Sequence, residues 1–260
     1  MNDRVIEGHG TAEANWLGWL ARQSVPRVPA TALCAANKRL VVIAPHPDDE
    51  ILACGGLLAL CAKLRFPVLV VAITDGEASH GLADESARAK LCRQRVHERC
   101  AGLVQLGVDP QCVVRLKIPD GLTSRYADVI FNRLKGLLRS GDLVVTTWVL
   151  DGHPDHETTA QVALRTGCNL LQAPVWMWHW AQPDDARIPW GDLVALDLTD
   201  DAVDAKQKAL ARHHSQLGIR NTKSGPVLAA AIVQRAARLQ EYFFIRHHCL
   251  PLLKEKSCLY

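Results

Sequence analysis

Two copies of the tripeptide His-Pro-Asp are the residues of this 260-residue chain best suited to chemistry. The first copy starts at His46 and continues as HPDDE, and the second starts at His153 and continues as HPDH. Composition alone predicts only about 0.04 occurrences of this tripeptide in such a chain. Each copy carries two metal-ligand side chains at i and i+3, which share one side of a helical first turn. Proline suits the first helical position, so each copy predicts the start of a helix.

Two histidines and one carboxylate form a ligand set that suits a catalytic zinc ion. The predicted ligands are His46, Asp49 and His156. Three protein ligands leave one position for water, and a catalytic metal lowers the pKa of that water towards ~7. The sequence therefore predicts one zinc ion per chain, with another divalent transition metal as the alternative, since iron and cobalt also accept this ligand set.

The remaining ionisable residues of the two copies supply acid and base groups. Asp48 is the predicted general base, and His153, oriented by Asp155, is the predicted group that stabilises an oxyanion or protonates a leaving amine. A single copy could equally be a helix cap in which the acid favours the helix dipole. Two copies, each directly after a predicted strand, favour a catalytic site over two unrelated caps.

Strands and helices alternate along the chain that must position these residues. Short apolar runs predict strands at 40–45, 67–74, 112–118, 142–148, 173–180 and 193–198. Helical spacing predicts helices over 50–64, 84–106, 125–139, 155–171 and most of 200–245. The alternation predicts an α/β fold, a Rossmann-like three-layer sandwich with a mostly parallel sheet and helices on both faces. Ligands of such sheets bind beyond the carboxyl ends of the strands, where both His-Pro-Asp copies stand.

The domain organisation follows from a change of pattern near residue 38. Residues 1–37 combine one short helix with a proline-containing break, which predicts an N-terminal helical extension. Residues 38–260 then predict a single catalytic domain.

Composition excludes several classes of protein. A net charge of +3, with 48% hydrophobic and 22% charged residues, argues against disorder and against a nucleic-acid partner. No apolar run reaches the ~20 residues of a transmembrane segment, and the first residues lack a signal-peptide core, so a cytoplasmic location is expected. Nine cysteines without a Cys-x-x-Cys pair are predicted to be small hydrophobic residues. A homo-oligomer stays open.

The order and spacing of these motifs resemble the PIG-L/LmbE-like N-deacetylases. The matching stretches are PHPDDE at 45–50, TDGE at 74–77, Arg95-x-x-Glu98 before Leu106-Gly107, PDG at 119–121, HPDH at 153–156, and Lys206…His213-x-Ser215-Gln216. The resemblance covers residues 38–245 or so. It implies a zinc-dependent hydrolase that removes an acetyl group from an N-acetylglucosamine-type sugar, with the ligands, base and acid given above.

The resemblance also bears on substrate contacts. It implies that Arg95 and Asp120 contact sugar hydroxyls. Some sugar deacetylases of this family carry a tyrosine two residues before HPDH, where it helps to hold the tetrahedral intermediate, and this chain has Asp151 there. Either another group does that work or the substrate differs, and Asp151 is taken as a substrate-binding candidate. His80, shortly after TDGE, is a further candidate.

Three tryptophans have two possible roles. Trp176, Trp178 and Trp180 alternate on the predicted strand 173–180, so they are expected on one face, as core or as a stacking wall for a sugar or lipid.

The reaction alternatives are a zinc amidase for another small-molecule amide and a metal-dependent phosphoesterase, which commonly needs two metals and more carboxylates. A non-enzymatic sugar-binding or scaffold protein is the third class.

Overall fold

The centre of the computed structural model, which describes residues 4–220 and 225–245, is a seven-stranded sheet. Its strands are β1 (Arg39–Ala44), β2 (Val68–Ala72), β3 (Val113–Arg115), β4 (Asp142–Thr147), β5 (Asn169–Ala173), β6 (Leu193–Asp197) and β7 (Gln240–Ile245). They lie in the order β3-β2-β1-β4-β5-β7-β6. The pairs from β3 to β5 are parallel, and β7 is antiparallel to both of its neighbours.

Helices pack against both faces of this sheet. They are α1 (Glu13–Leu20), α2 (Ala30–Ala36), α3 (Asp49–Lys63), α4 (Glu85–Gln105), α5 (Ala127–Leu137), α6 (Pro154–Arg165), α7 (Met177–Trp180), α8 (Asp200–Leu210), α9 (His214–Leu217) and α10 (Ala230–Arg235). Alternate residues of β1 belong to different cores, Leu40 and Val42 to one and Val41 and Ile43 to the other. A strand buried on both faces is what a three-layer sandwich requires. The predicted fold class is confirmed.

The strand order creates a crevice between β1 and β4. From β1 the chain proceeds to β2 and β3 on one side, and β4 and β5 lie on the other side. At such a switch point the connections after neighbouring strands diverge, so a ligand can lie between them. The two His-Pro-Asp copies follow β1 and β4, and the topology therefore brings them to the same crevice.

The segment from 155 to 180 differs from the sequence prediction. Helix α6 ends at Arg165, and Gly167, with φ +69°, turns the chain into β5, which starts at Asn169. The predicted strand 173–180 is therefore wrong, because the run APVWMWHW begins at the end of β5 and then forms α7. The tryptophans do not share one strand face: Trp178 is buried in an aromatic core, whereas Trp176 and Trp180 are half-buried.

The last strand also differs from the sequence prediction. Residues 200–245 are predicted to be mainly helical, but the chain forms β7 from Gln240 onwards. Its aromatic residues include Phe243 and Phe244, which are buried on opposite faces. Aromatic residues favour strands, and pairing with β5 and β6 stabilises the extended conformation of this segment. The local sequence contains no helix breaker that would have predicted it.

A buried ion pair stabilises a kink in α3. Cys54 has non-helical backbone angles, so the helix is interrupted one turn after it starts. Glu241 on β7 accepts the backbone N–H groups of Gly56 (2.7 Å) and Leu57 (2.9 Å), and the Nζ of Lys206 lies 2.7 Å from Glu241 and 3.3 Å from the Leu52 carbonyl. The pair thus replaces the Leu52-to-Gly56 hydrogen bond of a regular helix.

Glu241→Gln should lower the free energy of unfolding by about 3 kcal/mol, because it leaves the buried Lys206 ammonium without its counter-charge. Urea denaturation checks this value. Asp201→Asn is the matched control, since the Lys63–Asp201 pair is exposed and such pairs contribute at most about 1 kcal/mol. Equal losses in the two variants would show that the Lys206–Glu241 pair does not stabilise the kink.

The N-terminal segment packs directly on the sheet domain. Trp16 is fully buried, and its indole N–H donates to the Trp178 carbonyl at 2.7 Å. Glu13 forms a bidentate, buried ion pair with Arg238. The division into an extension over 1–37 and a domain over 38–260 stays a prediction, and the structure adds that these two parts share an aromatic core.

The seven cysteines within the described residues are free thiols, and Cys54 and Cys61 are buried, whereas Cys249 and Cys258 lie outside those residues. Within residues 4–220 and 225–245, none of the helices is both long and apolar enough to cross a bilayer.

Candidate active site

Two strand-to-helix junctions form the floor of the site. The first runs from the end of β1 through His46 to the start of α3, and the second runs from the end of β4 to His153, the N-cap of α6. Pro154 occupies the first turn of α6, as its fixed φ favours. His46 and His156 are separated by 110 residues in the chain, and the topology brings their rings together.

Three ligand-type atoms meet at the predicted metal position. His46 Nδ1 lies 3.1 Å from Asp49 Oδ2 and 3.2 Å from His156 Nε2, and His156 Nε2 lies 3.1 Å from Asp49 Oδ2. Ligands about 2.0–2.2 Å from a tetrahedral zinc would be roughly 3.3–3.6 Å apart. The three atoms therefore have nearly the spacing of one face of a zinc coordination tetrahedron. All three side chains are buried.

The chemistry of these atoms also fits a cation. His156 Nδ1 lies 2.7 Å from Asp151 Oδ2, and His46 Nε2 lies 3.1 Å from Asp120 Oδ1 and 3.2 Å from Asp155 Oδ2. Carboxylates only accept, so each of these outer ring nitrogens must carry the proton. The inner nitrogens then present lone pairs to each other and to Asp49. Three acceptors within 3.2 Å of one another need a positive charge between them.

The pKa shifts of His46, Asp49 and His156 also indicate that this position favours a positive charge. Burial opposes protonation of His156, but Asp49 and Asp151 raise its pKa to about 9. Burial acts in the same way on His46, and Asp120, Asp155 and Asp49 raise its pKa well above the usual value. Burial would raise the pKa of Asp49, yet the two histidines hold it well below its usual range. A divalent cation would supply this positive charge in place of the protons.

Two other groups of side chains at this floor could hold a metal, and both share His46. They are His46 with Asp120 and Asp155, and His46 with His153 and His156. In the first group Asp155 accepts the Gly121 N–H at 2.8 Å and the Thr123 hydroxyl at 2.6 Å, and Asp120 accepts the Ala78 N–H at 2.9 Å. These carboxylates are already bound to loop donors, so they suit the outer shell that orients a ligand histidine.

The partner of Asp155 differs from the prediction. Its carboxylate contacts His46 Nε2 rather than the His153 ring, and the contact to His153 is made by the Asp155 backbone N–H, which donates to His153 Nδ1 at 3.2 Å. The predicted pairing of the His153 and Asp155 side chains is therefore wrong. As an N-cap, His153 accepts this bond through Nδ1, which leaves its Nε2 carrying the proton.

Asp151 does not lie at a substrate-facing surface. It is fully buried, and besides His156 it accepts the backbone N–H groups of Val175 (2.8 Å), Trp176 (3.0 Å) and Met177 (3.0 Å). The substrate-binding assignment of Asp151 is therefore corrected: the structure makes it a positioning residue that orients the His156 ring and ties it to α7. The sequence feature that drew attention to this position is that Asp151 stands where some sugar deacetylases of the family carry a tyrosine.

Asp151→Asn should lower metal affinity by about 10–100-fold, because the amide can no longer accept all of the donors that orient His156. Competition with a chromophoric chelator measures the affinity. Asp128→Asn is the control, since Asp128 forms only an exposed pair with Arg165. Unchanged metal affinity in Asp151→Asn would contradict the positioning role.

Asp48 is held in a strained backbone conformation beside the metal position. Its φ is 151°, a value that costs a non-glycine residue of the order of 1–3 kcal/mol and often marks a functional site. Its Oδ2 lies 3.2 Å from Arg95 Nη2. Burial raises the pKa of Asp48 to about 7, although the Arg95 guanidinium opposes the shift. A cation bound nearby would lower this value.

Arg95 supports Asp48 from helix α4. Its guanidinium is 2% exposed and also donates to the carbonyls of Pro47 (3.1 Å) and Gly76 (3.0 Å). Gly76 has φ +73°, and a Cβ there would lie 2.1 Å from Arg95 Nη1, so this turn requires glycine. Arg95 also lines the large cavity above the metal position, and its guanidinium hydrogen bonds to Gly76, Pro47 and Asp48 are all with protein groups.

A cavity of about 680 Å³ lies above the floor. Its polar wall includes seven of the ten predicted site residues, namely His46, Asp48, Asp49, Arg95, Asp120, His153 and His156. Asp151 and Asp155 lie behind this wall. His80 is not among the residues that line the cavity, and its Nε2 contacts the Ser215 carbonyl at 2.9 Å, so its substrate-binding role stays a prediction.

Sequence reasoning missed part of the cavity wall. The additional residues include Leu52, Trp176, His179, Gln216, Leu228 and Ile232. Trp176 had a signal in the tryptophan run, and Gln216 had one in the His-x-Ser-Gln stretch. Ile232 lies on α10, and nothing in its sequence surroundings distinguishes it from a core residue.

The fold and the site together define a class of protein, an α/β domain with a His-Asp-His group at the switch point of its sheet. The family model for PIG-L, GlcNAc-PI de-N-acetylase, matches residues 41–166. These residues match a PIG-L (LmbE-like) domain, and the resemblance drawn from the motifs is confirmed.

Similar proteins agree with this family. The 1D-myo-inositol 2-acetamido-2-deoxy-alpha-D-glucopyranoside deacetylase of Mycobacterium sp. (strain KMS) is 25% identical over 256 residues, covering 80% of this chain and 83% of the relative. The A40926 pseudoaglycone deacetylase structure is 21% identical with a TM-score of 0.60, covering 80% of this chain and 97% of that one. The N,N′-diacetylchitobiose deacetylase of Pyrococcus horikoshii is 22% identical with a TM-score of 0.54, covering 70% and 72%. At these sequence identities the two solved structures support the fold assignment alone.

Proposed function

We propose that this protein is a zinc-dependent hydrolase that removes the N-acetyl group of an amino sugar, such as an N-acetylglucosamine conjugate. The observation that carries the proposal is the meeting of three lone-pair atoms, from His46, Asp49 and His156, in a cavity that also exposes Asp48 and His153. The similar proteins are named as deacetylases of acetamido sugars, which supports both the bond and the substrate class.

The ligands in this proposal are His46 Nδ1, Asp49 Oδ2 and His156 Nε2. When bound, the zinc ion would lower the pKa of water at the open position and polarise the acyl carbonyl. Asp120 and Asp155 orient His46 from outside, and Asp151 orients His156. Orientation by carboxylates of this kind fixes the tautomer and strengthens the ligand.

Asp48 is proposed to take the proton of the attacking water and later to pass it to the leaving amine. A carboxylate in this role contributes typically about 10²–10⁴-fold to the rate. Arg95 holds the carboxylate in place through Nη2. The strained backbone at Asp48 directs its side chain into the cavity rather than onto the N-terminus of α3, where no cap hydrogen bond forms.

His153 is proposed to donate a hydrogen bond to the oxyanion that develops on the acyl carbonyl. Its Nδ1 is occupied by the Asp155 N–H, so Nε2–H is the donor available to the cavity. Burial, together with His46 and His156, lowers the pKa of His153 to about 3, which keeps the ring neutral. A preformed donor at this position stabilises charge as it appears in the transition state.

A phosphoesterase is the less favoured alternative. Two-metal phosphoryl chemistry needs a second set of open carboxylates about 3.5–4 Å away from the first metal. The carboxylates of Asp120 and Asp155 contact His46 Nε2, and both accept backbone N–H groups of the 78–123 loops. The described residues therefore supply one well-formed metal position at this floor.

The test is a panel of N-acetylated sugars, their conjugates and other small N-acyl amides, with release of primary amine as the readout. The proposal predicts amine release from at least one amino sugar, abolished by a chelator and restored by added metal. Aryl phosphates in the same panel should release no phosphate. Tight metal binding without amine release from any member would contradict the proposal and favour a non-enzymatic sugar-binding protein.

A further inference from the structure

Helix α4 connects the site to a second set of polar residues. Arg95 and Glu98 stand at i and i+3 on this helix, so they share a face. Arg95 contacts Asp48, whereas Glu98 contacts the N-terminal turn of α9. Its Oε1 accepts the Ser215 N–H at 2.9 Å, and its Oε2 accepts the Ser215 hydroxyl at 2.5 Å. One helix thus positions the base and a neighbouring wall of the cavity.

The hydrogen bonds of Ser215 fix the orientation of the Gln216 amide. Glu98 can only accept, so the Ser215 hydroxyl proton is committed to it. The Ser215 oxygen can then only accept, and the Gln216 Nε2–H donates to it at 2.8 Å. The opposite amide orientation would place two acceptors against each other. The Gln216 side-chain oxygen therefore points away from Ser215.

This oxygen has no hydrogen-bond partner among residues 4–220 and 225–245. Gln216 is fully buried, lines the catalytic cavity, and its Oε1 is a buried atom without a partner. A buried carbonyl left unsatisfied costs about 1–3 kcal/mol, so such groups usually have a ligand or water as partner. The backbone of Gln216 is held on both sides, by the His213 carbonyl and the Leu228 N–H.

We propose that Gln216 is a specificity-determining residue whose Oε1 accepts a hydrogen bond from a hydroxyl group of the amino-sugar substrate. The inference rests on the proposed function for the identity of the ligand. A fixed acceptor in a buried wall increases the affinity for a substrate that carries a hydrogen-bond donor at the matching position. An analogue without this donor binds more weakly, because the carbonyl would then be desolvated without a partner.

The test compares wild type with Gln216→Met, which keeps the length of the side chain and removes both the Oε1 acceptor and the Nε2–H that donates to Ser215. Calorimetry measures the Kd of the metal-loaded protein for glucosamine, N-acetylglucosamine and their monodeoxy analogues. We expect Gln216→Met to raise the Kd of the parent sugars about 5–50-fold. One monodeoxy analogue should bind wild type equally weakly and lose nothing further in the variant.

Two controls separate recognition from structure. Gln94→Met removes another hydrogen bond to Glu98 from an exposed residue outside the cavity wall, and its Kd should equal that of wild type. Gln216→Met also removes the Nε2–H that donates to the Ser215 hydroxyl, so a small fall in its melting temperature is expected from the loss of that bond alone. A lower melting temperature together with unchanged Kd values would assign Gln216 a structural role and overturn the inference.

Equal Kd values in wild type and Gln216→Met overturn the inference whether or not the chain is an active deacetylase. Amine release by wild type reports on the proposed function alone, and sugar affinity does not require turnover. Additive losses from the variant and from every deoxy analogue would equally contradict it, since a direct contact requires coupling between the two changes.

Discussion

Asp48→Asn should bind metal as tightly as wild type, within a few-fold, and lower kcat by about 10²–10⁴-fold. Asparagine is the informative replacement because it tolerates unusual positive φ values better than most residues, and the φ here is 151°. The variant keeps the shape and the polar contact to Arg95 and removes only the ability to take a proton. Steady-state amine release and metal content after dialysis are the measurements.

The control for Asp48→Asn is Asp142→Asn. Asp142 is also buried and paired with an arginine, Arg39, but it stands at the opposite end of the sheet, at the start of β4. We expect lower stability and normal turnover in that variant. Wild-type kcat in metal-replete Asp48→Asn would remove Asp48 from the base role, and the cavity would then have to supply the proton acceptor from another residue.

His156→Ala should lose metal and with it nearly all activity. The change deletes one of three ligand atoms, so the affinity should fall by more than the roughly 10–100-fold typical of a lost outer-shell contact. Asp151 would keep its three backbone donors, so the junction before α6 should remain folded. Equilibrium dialysis followed by elemental analysis gives the affinity, and far-UV circular dichroism reports on the fold.

His214→Ala is the matched histidine control. His214 is exposed on α9 and lies outside the cavity wall, so its loss should change neither metal content nor rate. If His156→Ala retained stoichiometric metal at wild-type affinity, the ligand set would have to be the one that combines His46 with Asp120 and Asp155.

The residues of the site could be predicted where a local motif and the sheet order act together. The meeting of His46, Asp49 and His156 could be predicted because each His-Pro-Asp copy follows a strand, and parallel strands carry such residues to a common edge. The alternation of strands and helices gave the layers of the fold for the same reason. Neither inference needed a contact between particular side chains.

The errors concern contacts that short-range spacing does not encode. Asp155 was paired with His153 because the two are neighbours in the chain, whereas its carboxylate reaches His46, 109 residues away. Asp151 was placed near substrate, but its neighbours are backbone amides of the segment before α7, which had been read as a strand. The same misreading of 173–180 placed Trp176 on one strand face with Trp178 and Trp180, whereas Trp176 alone of the three lines the cavity.

The role proposed for Gln216 shows a further limit of the sequence. The His-x-Ser-Gln stretch was visible, but its meaning depends on Glu98, 117 residues earlier, which fixes the Ser215 hydroxyl. Only the structure shows that the amide oxygen is left without a partner in a cavity.

The most direct test is a crystal structure of the zinc-loaded protein with an anomalous difference map at the zinc edge. The account predicts one peak per chain, about 2.0–2.2 Å from His46 Nδ1, Asp49 Oδ2 and His156 Nε2, with one coordination position facing Asp48. A peak on the other side of the His46 ring, between Nε2, Asp120 and Asp155, would contradict it, as would the absence of any peak in a catalytically active crystal.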